Sequence, residues 1–525
     1  MLTIWDYIII VGYLLGVVII GLLFSGRQTS LREYFLAGGN MPWWAVAIST
    51  YATEMSAISF LGTASWIFRK DTRVVATTIL IFITVPLAAK VWVPIWSRLR
   101  MLSIFEYLQY RYHPAVRNFA SALFPIQTIF WIGNGLVASS MAFSATTGVR
   151  IELCLIGIVA LGTVYTALGG ARAVMWTDVV QFVVFMGAYL IILGLLLDYY
   201  GWDPMRIYAI SSSIISEETN NPHTSLISTE FSLAVEATIW VLLVNQFMSI
   251  LNYGTNQVAM QRLMATKTRR DMYKAVIAQG GITLLVVILT TTTAWAFVAF
   301  YHDNQAAQMG LEHSDQLVAH YTVNFVPFAL VRGLMLAGLL AAMMSSFDSA
   351  VNSMGSVTVN DFYRPYFAPS RTTEHYVGVA RLLSLGWGLA ILLFAWWQLG
   401  HSDSVVGQRL GQLSATLAAP LPIFFTLGIF ARRANTGGVL IGAICSVIFA
   451  LMYNGFPGII DAPLSGINWM WIGVLSTLVG IACGLLASLL FPKPEPQSLQ
   501  GLTLFQKNGD RKLDDVSERE RSDFG

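Results

Sequence analysis

Charged residues are scarce in this chain. They make up 11% of its 525 residues, against about 25% in soluble domains. That shortage excludes an ordinary water-soluble globular protein. The net charge of +2 gives no basis for nucleic-acid binding. Cysteine is nearly absent, and Cys154, Cys445 and Cys483 all fall in apolar runs. They read as small core hydrophobes, not as disulfides or metal ligands. No GxxxxGK[ST] phosphate loop occurs, and no large polar segment offers room for a nucleotide domain, which argues against pumping by ATP hydrolysis. HExxH motifs, metal-spaced Cys/His clusters and nucleophile–base constellations are missing too, so an enzyme is not expected. The first apolar run lacks a basic leader and a small-residue cleavage site, and reads as a retained span.

Apolar sequence is what remains. Hydrophobic residues reach 55% and mean hydropathy is +0.62, as in a polytopic membrane protein. A span needs roughly 20 mostly apolar residues. Thirteen segments qualify, at about 4–24, 43–68, 74–98, 118–147, 151–168, 172–200, 232–262, 274–301, 325–356, 375–399, 405–431, 437–453 and 468–491. Basic residues set the orientation. With the N-terminus outside, the inner loops and tail hold most of the 31 Lys and Arg, Arg262, Lys267, Arg269 and Arg270 among them. The outer loops hold Arg69, Lys70, Arg73, Arg150 and Arg206. The outer loops 201–231 and 302–324 are long enough for short helices or a lid. The charged tail from Pro492 reads as cytoplasmic and largely disordered.

Spans two to six and seven to eleven form two blocks of five, which an odd number would invert in the membrane. Both blocks open on an interrupted helix, at Ser49–Ser56 and at Ser249–Gln257. Paired interruptions in two halves are the best sequence pointer to a central site. The expected division is 1–42 for a leading helix and loop, 43–200 for the first repeat and 201–231 for an outer loop. The second repeat then runs 232–431, two terminal helices 432–491, and the tail 492–525.

Within span nine, Ala342, Ser345, Ser346, Ser349 and Ser353 fall at i, i+3, i+4, i+7 and i+11, one helical stripe. Asp348 and Asn352 lie beside it. Small residues and serines also line tight helix packing in membranes, but that accounts for a serine or two, not for this set. Hydroxyl, carboxylate and carbonyl oxygens suit a small hard cation such as sodium. Asp178, near the start of span six, is either an interfacial carboxylate or a partner for that cation. Glu54, in the middle of span two, is a substrate contact, part of the cation field or a proton-coupling group. Arg409 and Lys90 are its possible partners, and Arg332 is a gate or a structural ion pair.

Six blocks follow in order along these spans: EYFLAGGNMPWW, YATEMSAISFLGT, LSIFEYLQYRYHPAVR, ALGGARAVMWTDVVQ, YGTNQVAMQR and SSFDSAVNSMGSVTVNDFY. Over nearly its whole length the chain resembles the solute:sodium symporter family. The resemblance implies an all-α, LeuT-type inverted repeat of five plus five helices and sodium-driven alternating access. It implies a sodium site at Ala52, Met55, Ala342, Ser345 and Ser346. It implies a second at Asp178, Ser345, Asp348 and Ser349, although Asp348 is Ser in the sialic acid branch. Glu54, Ser56 and Ser59 lie near the positions where that branch contacts its solute. Its carboxylate-binding arginine has no match here. Asn252 falls at the aromatic gate position of the sugar branch, and Gln257 joins it in the candidate substrate set. The function implied is sodium-coupled symport of a small polar solute across the plasma (inner) membrane, with no cofactor besides Na+. An organic acid or sugar acid is preferred, with a sugar or amino acid as alternatives. Proton coupling through Glu54 is the rival mechanism, and a membrane sensor a remote one. Na+, the solute and the lipid bilayer are the expected partners.

Overall fold

The computed structural model describes residues 2–24, 28–55, 57–305, 316–401, 416–454, 463–495, 499 and 501–504, with backbone only for 57–61 and 454. Helices dominate the described residues. In chain order they are α1 (Ile4–Leu23), α2 (Leu31–Leu36), α3 (Trp43–Glu54), α4 (Ala57–Arg69), α5 (Ile81–Leu99) and α6 (Glu106–Arg111). Next come α7 (Pro114–Thr147), α8 (Ile151–Tyr199), α9 (Pro204–Ser213), α10 (Ile239–Tyr253), α11 (Gln257–Met264) and α12 (Arg269–Asp303). The last are α13 (Leu317–Phe325), α14 (Ala329–Val357), α15 (Thr373–Leu399), α16 (Pro420–Phe430), α17 (Thr436–Asn454) and α18 (Trp469–Ala487). Among the described residues nine helices are long and apolar enough to cross a membrane. Their outer faces leave Ile4, Leu15, Phe82, Leu285 and Leu382 exposed, as a lipid-facing surface requires.

Three breaks in helical backbone organise the molecule. At 49 residues α8 would run about 74 Å, about two and a half times the bilayer core. It is interrupted at Gly170, whose φ of 61° and ψ of −163° are not helical. A Cβ there would stand 2.6 Å from the Tyr34 carbonyl, so both backbone angle and contact demand glycine. The second break separates α3 from α4. Met55 leaves the helix in extended conformation, with φ −85° and ψ 92°. The third separates α10 from α11. There Asn256 caps α11 by accepting from Val258 N at 3.0 Å and Ala259 N at 3.3 Å. A Cβ on Gly254 would fall 1.9 Å from the buried Trp92 ring, so the indole packs straight onto the backbone of the turn. Both interruptions expected in spans two and seven are therefore present as gaps between helices.

The serine-rich helix α14 sits at the centre. It packs against α8, α1, α7, α3 and α15, and every residue from Met335 to Val357 is buried. Close approach depends on small residues. A Cβ on Gly338 would meet the Ala188 methyl at 2.8 Å, and one on Gly162 the Phe347 ring at 2.8 Å. The apolar run expected from Phe325 begins its long helix later, at Ala329. Pro327 disfavours helical backbone in the residue before it, and so separates α13 from α14. The outer loops expected at 201–231 and 302–324 carry α9 and part of α13.

Candidate functional site

The last carbonyls of a helix lack intrahelical donors. Because α3 stops at Glu54, the carbonyls of Ala52 and Thr53 need partners from elsewhere, and α14 supplies them. Ser345 Oγ donates to Ala52 O at 2.9 Å, and it also lies 3.1 Å from its own helix's Ala342 O. Ser346 Oγ donates to Thr53 O at 2.9 Å. All four residues are buried. Two carbonyls and a hydroxyl thus converge at Ser345, where the negative end of the α3 dipole points. Met55, the first extended residue beyond, is also buried, and its sulfur lies 3.5 Å from the Tyr51 hydroxyl. Ala52, Ala342, Ser345 and Ser346 come together as the sequence grouped them, with Met55 adjoining. Neutral oxygens at an unwound helix end are the donor set a sodium ion takes in membrane transporters.

One turn further along α14 a charged cluster begins. Ser49 Oγ donates to Asp178 Oδ2 at 2.5 Å. Ser349 Oγ lies 3.0 Å from Thr53 Oγ1, 2.5 Å from Ser345 O and 3.3 Å from Asp348 Oδ1. The Tyr165 hydroxyl donates to Asp348 Oδ2. Asp178, Asp348 and Ser349 are therefore brought together, as expected, within a layer shared by α3, α8 and α14.

The sequence reading overlooked the residue in the middle of this cluster. The sequence places Arg262 among the basic residues of an inner loop. The structure corrects that, since Arg262 is only 3% exposed. Its Nη2 lies 3.3 Å from Asp178 Oδ2 and its Nε donates to Ser49 Oγ at 2.9 Å. A third bond runs from Nη2 to Ser349 Oγ, and Nη1 donates to Val258 O at 3.0 Å. A signal was available. A carboxylate buried as deeply as Asp178 needs a cation, and Arg262 stands only six residues beyond the helix break at Asn256.

The candidate substrate residues divide. Glu54 is exposed despite lying deep in the bundle, and its Oε2 accepts from Gln279 Nε2 at 2.9 Å. Tyr253 donates to Gln279 Oε1 at 2.6 Å, which extends the chain of polar groups from α3 through α12 to α10. Asn252, next to Tyr253, is exposed. Gln257 lies elsewhere. It is buried, accepts from Ile104 N at 2.8 Å and donates to Leu102 O at 3.2 Å. Ser56, the side chain of Ser59 and Arg409 lie outside the described residues. Arg332 is ion-paired with the buried Asp6 at 3.3 Å, which ties α14 to α1.

A bundle built on broken helices, with buried carbonyl and hydroxyl oxygens where they break, has the architecture of an ion-coupled membrane transporter. The sodium:solute symporter family matches residues 34–446, and the chain belongs to that family. Its members carry solutes rather than transform them. The sodium/sialic acid symporter SiaT of Proteus mirabilis is 25% identical over 500 residues, covering 94% of this chain and 97% of its own. The sodium-dependent multivitamin transporter of Oryctolagus cuniculus is 27% identical over 489 residues, or 92% of this chain and 72% of its own. A solved structure of a Na+-coupled sialic acid symporter, substrate-bound and outward-open, shares the fold. The TM-score is 0.83 at 24% identity, over 94% of this chain and 99% of that one.

Proposed function

We propose that the protein is a sodium-coupled symporter of a small polar organic solute, working by alternating access. Sodium binds where α3 ends, to the carbonyls of Ala52, Met55 and Ala342 and the hydroxyls of Ser345 and Ser346. The observation that carries this reading is the pair of serine hydroxyls on the carbonyls of Ala52 and Thr53. These bonds cross from one five-helix block to the other. An ion in their place holds α3 against α14, so its departure frees the two blocks to move apart.

The solute binds beside the same break, against Glu54 and Asn252, with Ser56 and Ser59 completing its site. A carboxylate and amides at one wall suit a solute rich in hydroxyl or amino groups. Sialic acid and vitamin transporters among the relatives favour an organic acid or sugar acid. In this reading thirteen spans cross the plasma membrane, five plus five of them as inverted repeats. The N-terminus is outside and the tail in the cytoplasm.

A thermal-shift panel of organic acids, sugar acids, sugars and amino acids, each with and without sodium, tests the assignment. Sodium and one solute should each strengthen the other's stabilisation, since coupling between sites is reciprocal. Solute stabilisation identical in sodium and choline would overturn it.

A further inference from the structure

We propose that a basic cavity at the end of the bundle where α3 begins binds the anionic headgroup of a phospholipid. The cavity has a volume of about 410 Å³ and is lined by Arg32, Gly39, Asn40, Arg100 and Lys267, with Glu33 as its one acid. Such a site needs helices in a bilayer but not sodium coupling. Its place in the inner leaflet rests on the orientation proposed above.

The three cations come from segments far apart in sequence. Arg32 stands on α2, Arg100 follows α5, and Lys267 lies between α11 and α12. The backbone brings them together. Met41 N donates to Ala265 O at 3.0 Å, and a bridge joins Met41 to Thr266, which seats the 38–41 loop beside Lys267. Arg100 Nη2 donates to the Lys267 carbonyl at 2.9 Å. Gly39, with φ 71°, is in the left-handed region. A Cβ there would stand 3.3 Å from Arg32 Nη2, so the guanidinium lies across bare backbone. Arg100 is itself left-handed, with φ 45°, uncommon outside glycine.

The charge is not cancelled from within. Glu33 Oε2 accepts from Thr29 N at 2.9 Å and Thr29 Oγ1 at 3.0 Å. Among the described residues no ion pair includes Arg100 or Lys267. Arg32, Arg100 and Lys267 are all exposed, and against one carboxylate they leave the cavity positive. Guanidinium and ammonium donors converging on one space suit a phosphate. No aromatic side chain lines the cavity, so nothing there stacks a nucleotide base. Depth favours a lipid phosphate over a free one. Trp43 and Trp44 open α3 just beyond Pro42; Trp44 is exposed and packs edge-on against Trp176, and Lys274 lies over the Trp43 ring at 5.7 Å. Tryptophans at span ends mark headgroup level, where basic pockets between helices take anionic headgroups.

The test is thermal stabilisation of the purified full-length protein in neutral detergent by dioleoylphosphatidylglycerol, with dioleoylphosphatidylcholine for comparison. A ligand that binds only folded protein stabilises it, so the first lipid should raise the melting temperature of wild type well above the second. Arg32→Gln with Lys267→Gln should raise the half-saturating phosphatidylglycerol concentration about 30-fold. Arg269→Gln with Arg270→Gln removes the same charge outside the cavity, where water and salt screen it, and should shift that concentration by no more than about 3-fold. Equal stabilisation of wild type by the two lipids overturns the proposal, as does an equal loss in the two double variants. Inorganic phosphate that stabilises wild type and abolishes the lipid effect identifies a soluble-phosphate site and overturns the lipid assignment. If the cavity double variant does not fold, Lys267→Gln alone should still cost about 5-fold, and an unchanged value overturns the proposal. Sodium stabilisation read in the same samples reports separately on the symport reading.

Discussion

Removing the Ser346 hydroxyl tests what one proposed ligand contributes to sodium binding. In this structure Ser346 Oγ satisfies Thr53 O at 2.9 Å, a carbonyl at a helix end. Ser346→Ala leaves that carbonyl buried and unpaired, which costs the ion-free state about 1 kcal/mol. In the sodium-bound state the same change removes an oxygen facing a charge, worth about 2–3 kcal/mol. The difference, about 1–2 kcal/mol, weakens sodium roughly 5- to 30-fold. Ser345→Ala should weaken sodium in the same range, because the single Ser345 hydroxyl proton satisfies one carbonyl at a time, Ala52 O or Ala342 O. Ser353 provides the control. It lies on the same stripe, fully buried, with no partner for its hydroxyl. Ser353→Ala should leave the sodium constant unchanged and stability equal or slightly higher. The assay is the sodium concentration that gives half-maximal thermal stabilisation of each purified variant. Equal constants in wild type, Ser345→Ala and Ser346→Ala would refute the assignment of these hydroxyls.

Three further outcomes are expected. Gly254→Ala should destabilise by about 1–3 kcal/mol through overpacking against Trp92, and should cut uptake by displacing the α10–α11 turn; an unchanged melting temperature would contradict the packing argument. In the connection before α7, burial pushes the Glu106 carboxyl up to about 7, with Asp361 adding to the shift and Arg117 opposing it. Folded protein therefore holds this proton where unfolded protein has lost it, so up to about 3 kcal/mol of stability is present below pH ~4.5 and lost as pH rises through ~7. Glu106→Gln should flatten that slope in denaturation measured across pH 4.5–8. Glu54→Gln should weaken solute binding while leaving sodium stabilisation in place. Loss of gradient-driven uptake with sodium dispensable would instead favour proton coupling.

Much of the site was legible because its chemistry is local. The stripe from Ala342 to Ser353 follows from helical spacing inside an apolar run. The break after Glu54 follows from Thr53, Glu54 and Ser56 interrupting another, and Gly254-Thr255-Asn256 marks the second break in the same way. Gly169-Gly170 allowed the division of a 49-residue helix that length alone required. What escaped depends on contacts distant in sequence. The neighbours Lys267, Arg269 and Arg270 point Arg262 to an inner loop, whereas its actual place is set by Asp178, Ser49 and Ser349 on three other helices. Tyr165 carries no local signal for Asp348, 183 residues away. The amide of Gln257 is directed by the backbone at 102–104, and no pattern within its own helix announces that.

Gradient-driven uptake is the most direct test of sodium coupling at the α3–α14 junction. The solute found in the thermal-shift panel would be offered to proteoliposomes carrying wild type or the Ser345→Ala, Ser346→Ala double variant. Wild type should concentrate the solute under an inward sodium gradient and stop when the gradient is collapsed, and the double variant should not concentrate it at sodium levels that saturate wild type. Accumulation by wild type that is the same with choline in place of sodium, or full accumulation by the double variant, would contradict it.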